Sequence, residues 1–185
     1  MELLKAVNMI LPYFGENTIT KIDYKHPTVV LITGVLEDMQ KTLLSKGWWF
    51  NTSYVKLYPN SDGGLDAPEN ALSIVNMSTS DVIAIRDQRI FNVTQRSYTF
   101  KEPIVVCIID NMDFEELPEN VALWIMYRTA YEAYVRDYGY EDVLQIIQLK
   151  ENEAYQRVNV EHLRNKKYST CKSPMAWKYY NALRT

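Results

Sequence analysis

The stretch Thr28 to Asn51, TVVLITGVLEDMQKTLLSKGWWFN, restricts the fold more than any other part of the chain. Val29, Ile32, Leu36, Met39 and Leu43 recur at alternating steps of three and four, so they share one face of a helix. Glu37 and Lys41 are spaced to pair on the exposed face. Pro27 and Thr28 mark the start, and Lys46 followed by Gly47 gives a last-turn cation and a left-handed stop. The helix is therefore expected over about 28–46. Directly after it come Trp48, Trp49, Phe50 and Asn51. Read as an extended piece, alternation puts Trp48 and Phe50 on one side and Trp49 on the other. Burial of such rings contributes about 1.5–3 kcal/mol apiece. Trp48, alone or together with Phe50, is expected to be the best-buried aromatic of the set, and Trp48, Phe50 and Trp124 are the expected core anchors.

Three further helices follow from the same kind of pattern. Leu3, Val7, Ile10 and Phe14 form a first face, giving a helix over about 2–14 that Pro12 must end or kink before Gly15. Pro118 suits a first helical position, with Glu115, Glu116 and Glu119 favouring a helix N-terminus. From there Val121, Trp124, Ala130, Tyr131, Tyr134 and Val135 leave few polar faces, so a central helix is expected over about 118–138, stopped by Gly139. Val143, Ile147, Ala154 and Val158, with Leu144 beside them, place a last helix over about 141–167, whose polar far half is expected to project from the core.

The middle of the chain has another character. Tyr54–Tyr58 is short and β-prone, and Asp62-Gly63-Gly64 is a turn signal. Pro59–Gly64 reads as a loop, Pro68–Met77 stays undecided between one or two helical turns and a strand, and the structure of 59–80 as a whole is left open. Asp81–Ile85 and Arg89–Val93 read as a hairpin around Asp87-Gln88. Tyr98-Thr99-Phe100 and Ile104–Ile109 read as strands, the latter a continuous apolar run suited to a buried position. One small antiparallel β-region over about 54–110, inserted between the second and third helices, is the expectation.

Few residues point to catalysis. Gly-rich phosphate loops, GxSxG, HExxH and CxxC are all missing from the sequence. Its two histidines, His26 and His162, and its two cysteines, Cys107 and Cys171, lack the local spacing of a zinc site. The densest carboxylate group is Asp110, Asp113, Glu115 and Glu116. It admits a metal-dependent nuclease reading, against the plainer one that these acids complement a helix dipole. No metal, cofactor or catalytic residue is assigned. A formal net charge of −3 gives no global attraction to nucleic acid, and no apolar run reaches the length of a membrane span. Two distant cysteines fit a reducing cytoplasm, and the acidic second residue does not suit a signal peptide. Fourteen Tyr and four Trp against five Phe suit either wet interfaces or a Tyr-rich core.

Charge is distributed unevenly. Asp113–Glu153 is rich in acids, whereas Arg157, Arg164, Lys166, Lys167, Lys172, Lys178 and Arg184 face Glu161 alone from Arg157 onward. In the tail at 169–185, Trp177, Lys178, Tyr179, Tyr180, Leu183 and Arg184 form a basic aromatic set. Such a set can dock on a partner protein, bind nucleic acid by stacking, or stay a solvated terminus. The partner-protein reading is favoured, because the chain as a whole is acidic.

Lys46-Gly47-Trp48 with Phe50-Asn51 resembles the tail tubular protein A family, the head-to-tail adaptors of short-tailed bacteriophages. So do Ala6-Val7-Asn8, Ile10-Leu11 and Gly15-Glu16, from which Pro12 departs, and Leu117-Pro118-Glu119 with Trp124-Ile125. Leu144-Gln145 and Glu151-Asn152-Glu153-Ala154 continue the order, so the helical parts carry the resemblance in patches from about Ala6 to Ala154. The resemblance implies a non-enzymatic virion tail protein, assembled in the host cytoplasm as a ring of twelve copies. Its partners would be the portal protein, the tail nozzle protein and its own copies, with phage DNA passing through the lumen and no membrane contact. Taken together, the expectation is an α+β adaptor domain over 1–168. It is a four-helix bundle with the inserted β-region, followed by an extended C-terminal tail that orders on the portal or on a neighbouring copy. The alternatives are a metal-dependent nuclease and a small nucleic-acid-binding module.

Overall fold

Glycine and proline set several helix ends in the computed structural model, which describes residues 1–166. Helix α1 runs from Leu3 to Ile10 and passes into a 3-10 turn, Leu11–Phe14, with Pro12 near its start and Gly15 closing it at φ +73°. Pro12 thus tightens the helix rather than breaking it, since its missing N–H falls where a new turn begins. Helix α2 spans Pro27–Leu44, with Gly47 left-handed at φ +75° beyond its end. Helix α3 spans Glu119–Tyr138. Pro118 is extended and caps α3 from outside instead of opening it, and its carbonyl accepts the Val121 and Ala122 N–H groups. Helix α4 covers Val143–Asn165. Strands β1 (Thr52–Leu57), β2 (Ala71–Asn76), β3 (Ile83–Arg86), β4 (Arg89–Asn92) and β5 (Ile104–Asp110) lie between α2 and α3 in chain order.

The described residues are therefore α+β, with four α-helices and two small antiparallel sheets where one β-region was expected. Helix α3 touches α1, α2 and α4. Val121, Ala122, Ile125, Met126 and Ala130 of α3 are fully buried, as are Val7 and Ile10 of α1, Ile32 of α2 and Ile147 of α4.

The strands group as β1-β5-β2 and as the β3–β4 hairpin. Asp87 and Gln88 turn that hairpin at φ +49° and +59°, the two positive values a tight two-residue turn requires. Tyr98–Phe100 is not a strand. Its Phe100 N–H bonds the Gly63 carbonyl of the opposite loop at 2.8 Å, and the ring joins the sheet core of Leu65, Ile74, Ile83, Ile90, Ile104, Val106 and Ile108. Strand β5 also differs from expectation. Ile104, Val106 and Ile108 are buried, whereas Val105 on the other face is exposed. Its apolar run thus serves two different surfaces.

Candidate functional site

The end of α2, the start of β1, α3 and α4 meet at one aromatic junction. Trp48 is 6% exposed, and its indole N–H donates to the Leu43 carbonyl at 2.8 Å. Its ring meets Trp124 edge-on at 5.3 Å between centroids and His162 edge-on at 5.1 Å. Trp49, Phe50 and Asn51 form a turn rather than an extended piece, so alternation does not govern them. Trp49 and Phe50 are both half-buried and pack on each other at 5.0 Å.

Buried Asn51 closes that turn. Its Oδ1 accepts the Trp48 backbone N–H at 2.7 Å, and its Nδ2 donates to the Leu44 carbonyl at 3.0 Å and to the Asp110 carbonyl at 2.9 Å. One side chain thus adds a second donor to the Leu44 carbonyl, which already accepts the Gly47 N–H at 3.1 Å, and ties the end of α2 to the last residue of β5. Helices and sheet are joined through this amide.

The far half of α4 does not project from the core. Val158 is fully buried, and His162 lies against Trp48 and also Trp49, at 5.9 Å. Burial there pushes the His162 imidazole below its ordinary pKa, and Lys166 adds to the shift. Earlier on α4, burial pushes the Glu151 carboxyl up, against the pull of the Arg128 guanidinium 3.6 Å away. At the other end of the helical layer the Tyr134 hydroxyl donates to Glu141 at 2.5 Å, and that bond is the main cause of a phenol pKa pushed up to about 12.

The carboxylate group separates. Asp110 ends β5 and accepts the Ser53 hydroxyl at 3.3 Å. Asp113 precedes a short 3-10 turn, Phe114–Glu116, and Glu115 accepts the Leu3 N–H at the start of α1 at 3.1 Å. Asp110 and Glu115 thus tie chain segments together. Among the described residues, no three or more His, Cys, Asp or Glu gather as a metal-holding group. The tail set Trp177, Lys178, Tyr179, Tyr180, Leu183 and Arg184 lies outside the described residues, as does the expected helix end at Lys167.

Two surfaces are apolar without cover among the described residues. Cross-strand register places Tyr54, Cys107 and Val75 in one row on the outer face of the three-stranded sheet. Tyr54, Val75, Met77 and Val105 are exposed there. The second surface is on α4, where Ile146, Leu149, Val160 and Leu163 are 55, 62, 45 and 43% exposed. At 100° per residue this stripe falls on the side of α4 opposite buried Leu144, Ile147, Ala154 and Val158. The 3-and-4 spacing of the outer stripe was visible in the sequence but interrupted by Glu153 and Gln156. Asn51 gave no sequence signal of its role.

Among the described residues, two apolar surfaces lie without cover, which fits assembly. A family described as tail tubular protein matches residues 4–168, so the match runs through the β-region as well as the helices. Tail tubular protein A of Klebsiella phage KP34 is 30% identical over 177 residues, covering 95% of each chain. The nuclease reading falls with this match, because the family is structural. The chain belongs to the tail tubular protein family and is a structural component of the phage virion tail, not an enzyme.

Proposed function

We propose that this protein is a head-to-tail adaptor whose copies form a ring, joining the portal protein to the tail nozzle protein and leaving a lumen for phage DNA. The ring has twelve copies by resemblance to the family. In this reading the four helices act as one bundle, with the β-region inserted between the second and third. Residues 1–168 are the adaptor domain. Trp177, Lys178, Tyr179, Tyr180, Leu183 and Arg184 of the 169–185 tail bind the portal, and assembly takes place in the host cytoplasm.

The observation that carries the reading is the pair of separate apolar surfaces, one on the sheet and one on α4. A cyclic ring needs two unlike patches on each copy, one for each neighbour. The outer sheet face and the outer face of α4 are two such patches, each with large exposed apolar side chains. Exposed apolar patches of this kind mark interaction sites.

The test is reconstitution with the portal protein of the same phage, read by native mass and electron microscopy. A closed ring on the portal is expected, and a chain ending at Tyr168 is expected to remain folded but fail to join. Failure of the full chain to bind the portal, or undiminished docking of the truncated chain, overturns the corresponding part of the reading.

A further inference from the structure

We propose that the outer face of α4 is a self-complementary docking surface, on which the α4 of a second copy of this chain packs antiparallel to form a two-fold dimer.

The stripe reads Ile146, Leu149, Glu153, Gln156, Val160, Leu163, at steps of three, four, three, four and three. That is the spacing of a coiled-coil seam. It is also symmetric about a point between Ala154 and Tyr155. Two copies laid antiparallel about that point set Ile146 opposite Leu163, Leu149 opposite Val160, and Glu153 opposite Gln156 and beside Arg157. Two-fold symmetry repeats each contact, as an isologous interface requires.

Charge selects the same arrangement. Glu153 and Arg157 are exposed, and neither has an ion pair among the described residues. In the antiparallel pair, Glu153 of each copy meets Arg157 of the other. A parallel pair would set Glu153 on Glu153 and Arg157 on Arg157. The ends agree, since exposed Asp142 near the start of α4 would lie toward exposed Arg164 and Lys166 at the end of its mate. Antiparallel packing also opposes the two helix dipoles.

Size sets the strength. A helix of 23 residues is about 35 Å long, and four apolar side chains per copy put the contact at the small end of specific interfaces. The dissociation constant is therefore expected in the micromolar range, about 1–100 μM. The two-fold pair is closed and uses the outer face of α4 on both copies. A chain held in it cannot offer that face to a ring neighbour, so pairing would keep new copies out of premature rings. That consequence rests on the ring reading, whereas pairing of the free chain does not.

The test uses the full chain without portal, by sedimentation equilibrium from about 1 μM to about 1 mM at low salt. A reversible monomer–dimer equilibrium is expected. E153R alone and R157E alone should each weaken it about tenfold or more, through like charges placed twice across the axis. An equimolar mixture of the E153R chain with the R157E chain should recover association as a heterodimer, because every facing pair is then of opposite sign. Both positions are exposed, and unchanged circular dichroism should show that the fold persists. A native chain that stays monomeric throughout, association that passes directly to larger rings, or a mixture no tighter than its components overturns the proposal. Stronger dimerisation on deleting residues after Tyr168 also overturns it, because the tail would then be the occupant of the stripe.

Discussion

Trp48→Ala tests whether the aromatic junction is the centre on which the helices depend. The substitution removes a large ring that is 6% exposed, two edge-on ring contacts and the bond from the indole N–H to the Leu43 carbonyl. Truncating a buried Trp to Ala costs about 3–5 kcal/mol, cavity included. Each aromatic contact contributes about 0.5–1.5 kcal/mol of this and the hydrogen bond about 1 kcal/mol. Against a total stability of about 5–15 kcal/mol, the variant should be marginal. Its thermal midpoint should fall by about 6–20 °C for a chain of this length. Trp48→Phe keeps an edge-on ring but drops the indole donor, and should cost about 1–2 kcal/mol. Urea unfolding followed by far-ultraviolet circular dichroism gives both values and avoids dependence on the fluorescence of the remaining tryptophans. A loss below about 1 kcal/mol for Trp48→Ala would refute the central role of the junction.

Asn51→Ala should cost about 2–4 kcal/mol in urea unfolding, because the buried Trp48 N–H loses its acceptor and the Leu44 and Asp110 carbonyls lose the amide donor that joins them. Gly47→Ala should destabilise more than Gly15→Ala under the same assay. Both sites are left-handed, at φ +75° and +73°, but only at Gly47 would a Cβ meet another side chain within 3 Å, Ile109 Cδ1 at 2.9 Å. His162 is held below its ordinary pKa of 6.5, so the unfolded chain binds more protons as pH falls through that value. Stability should therefore be full well above pH 6.5 and decline as pH falls through that value, and His162→Phe should flatten the midpoint-against-pH curve there. Glu151, held above its ordinary 4.5, acts in the opposite sense, adding stability as pH falls toward 4.5, so the His162→Phe comparison is made with Glu151 unchanged.

The helices were legible because their signals are local. Val29, Ile32 and Leu43 turned out buried on one face of α2, and Gly15, Gly47 and Gly139 all adopt the positive φ that stops a helical segment. Asp87-Gln88 was legible as a turn for a similar reason, since a two-residue connection between β-prone runs has few solutions. Tyr98–Phe100 misled because aromatic content signals a pleated surface, whereas this segment bonds to the Gly63 loop and uses Phe100 as a plug. The Ile104–Ile109 run misled because a continuous apolar strand looks the same whether its second face meets the core or awaits a partner. Asn51 was illegible for a geometric reason. Its role needs Leu44 and Asp110 brought together, 7 and 59 positions away along the chain.

The two uncovered surfaces differ in what they can support. The sheet face is built from Tyr54, Val75 and Val105 on three strands, with Met77 just beyond β2. On the ring reading it is matched by an unlike patch. The α4 stripe is symmetric about its own midpoint and can therefore be matched by itself. Both kinds of contact compete for the outer face of α4, since one helix face cannot be covered twice. On the ring reading, the unlike contact gains from closure, because every copy in a ring is held on two sides, whereas the paired state is held on one. A two-fold pair with a micromolar constant is then strong enough to occupy the face in concentrated free protein and weak enough to yield once the portal aligns neighbours. Raising the strength of the pair should delay ring formation without changing the finished ring. Leu149→Ile with Val160→Leu, which enlarges the seam by one methylene per copy, is expected to tighten the dimer and slow appearance of rings on the portal in a time-resolved mass measurement. Faster ring formation from the tightened chain would show that the pair is a building unit of the ring and not its competitor.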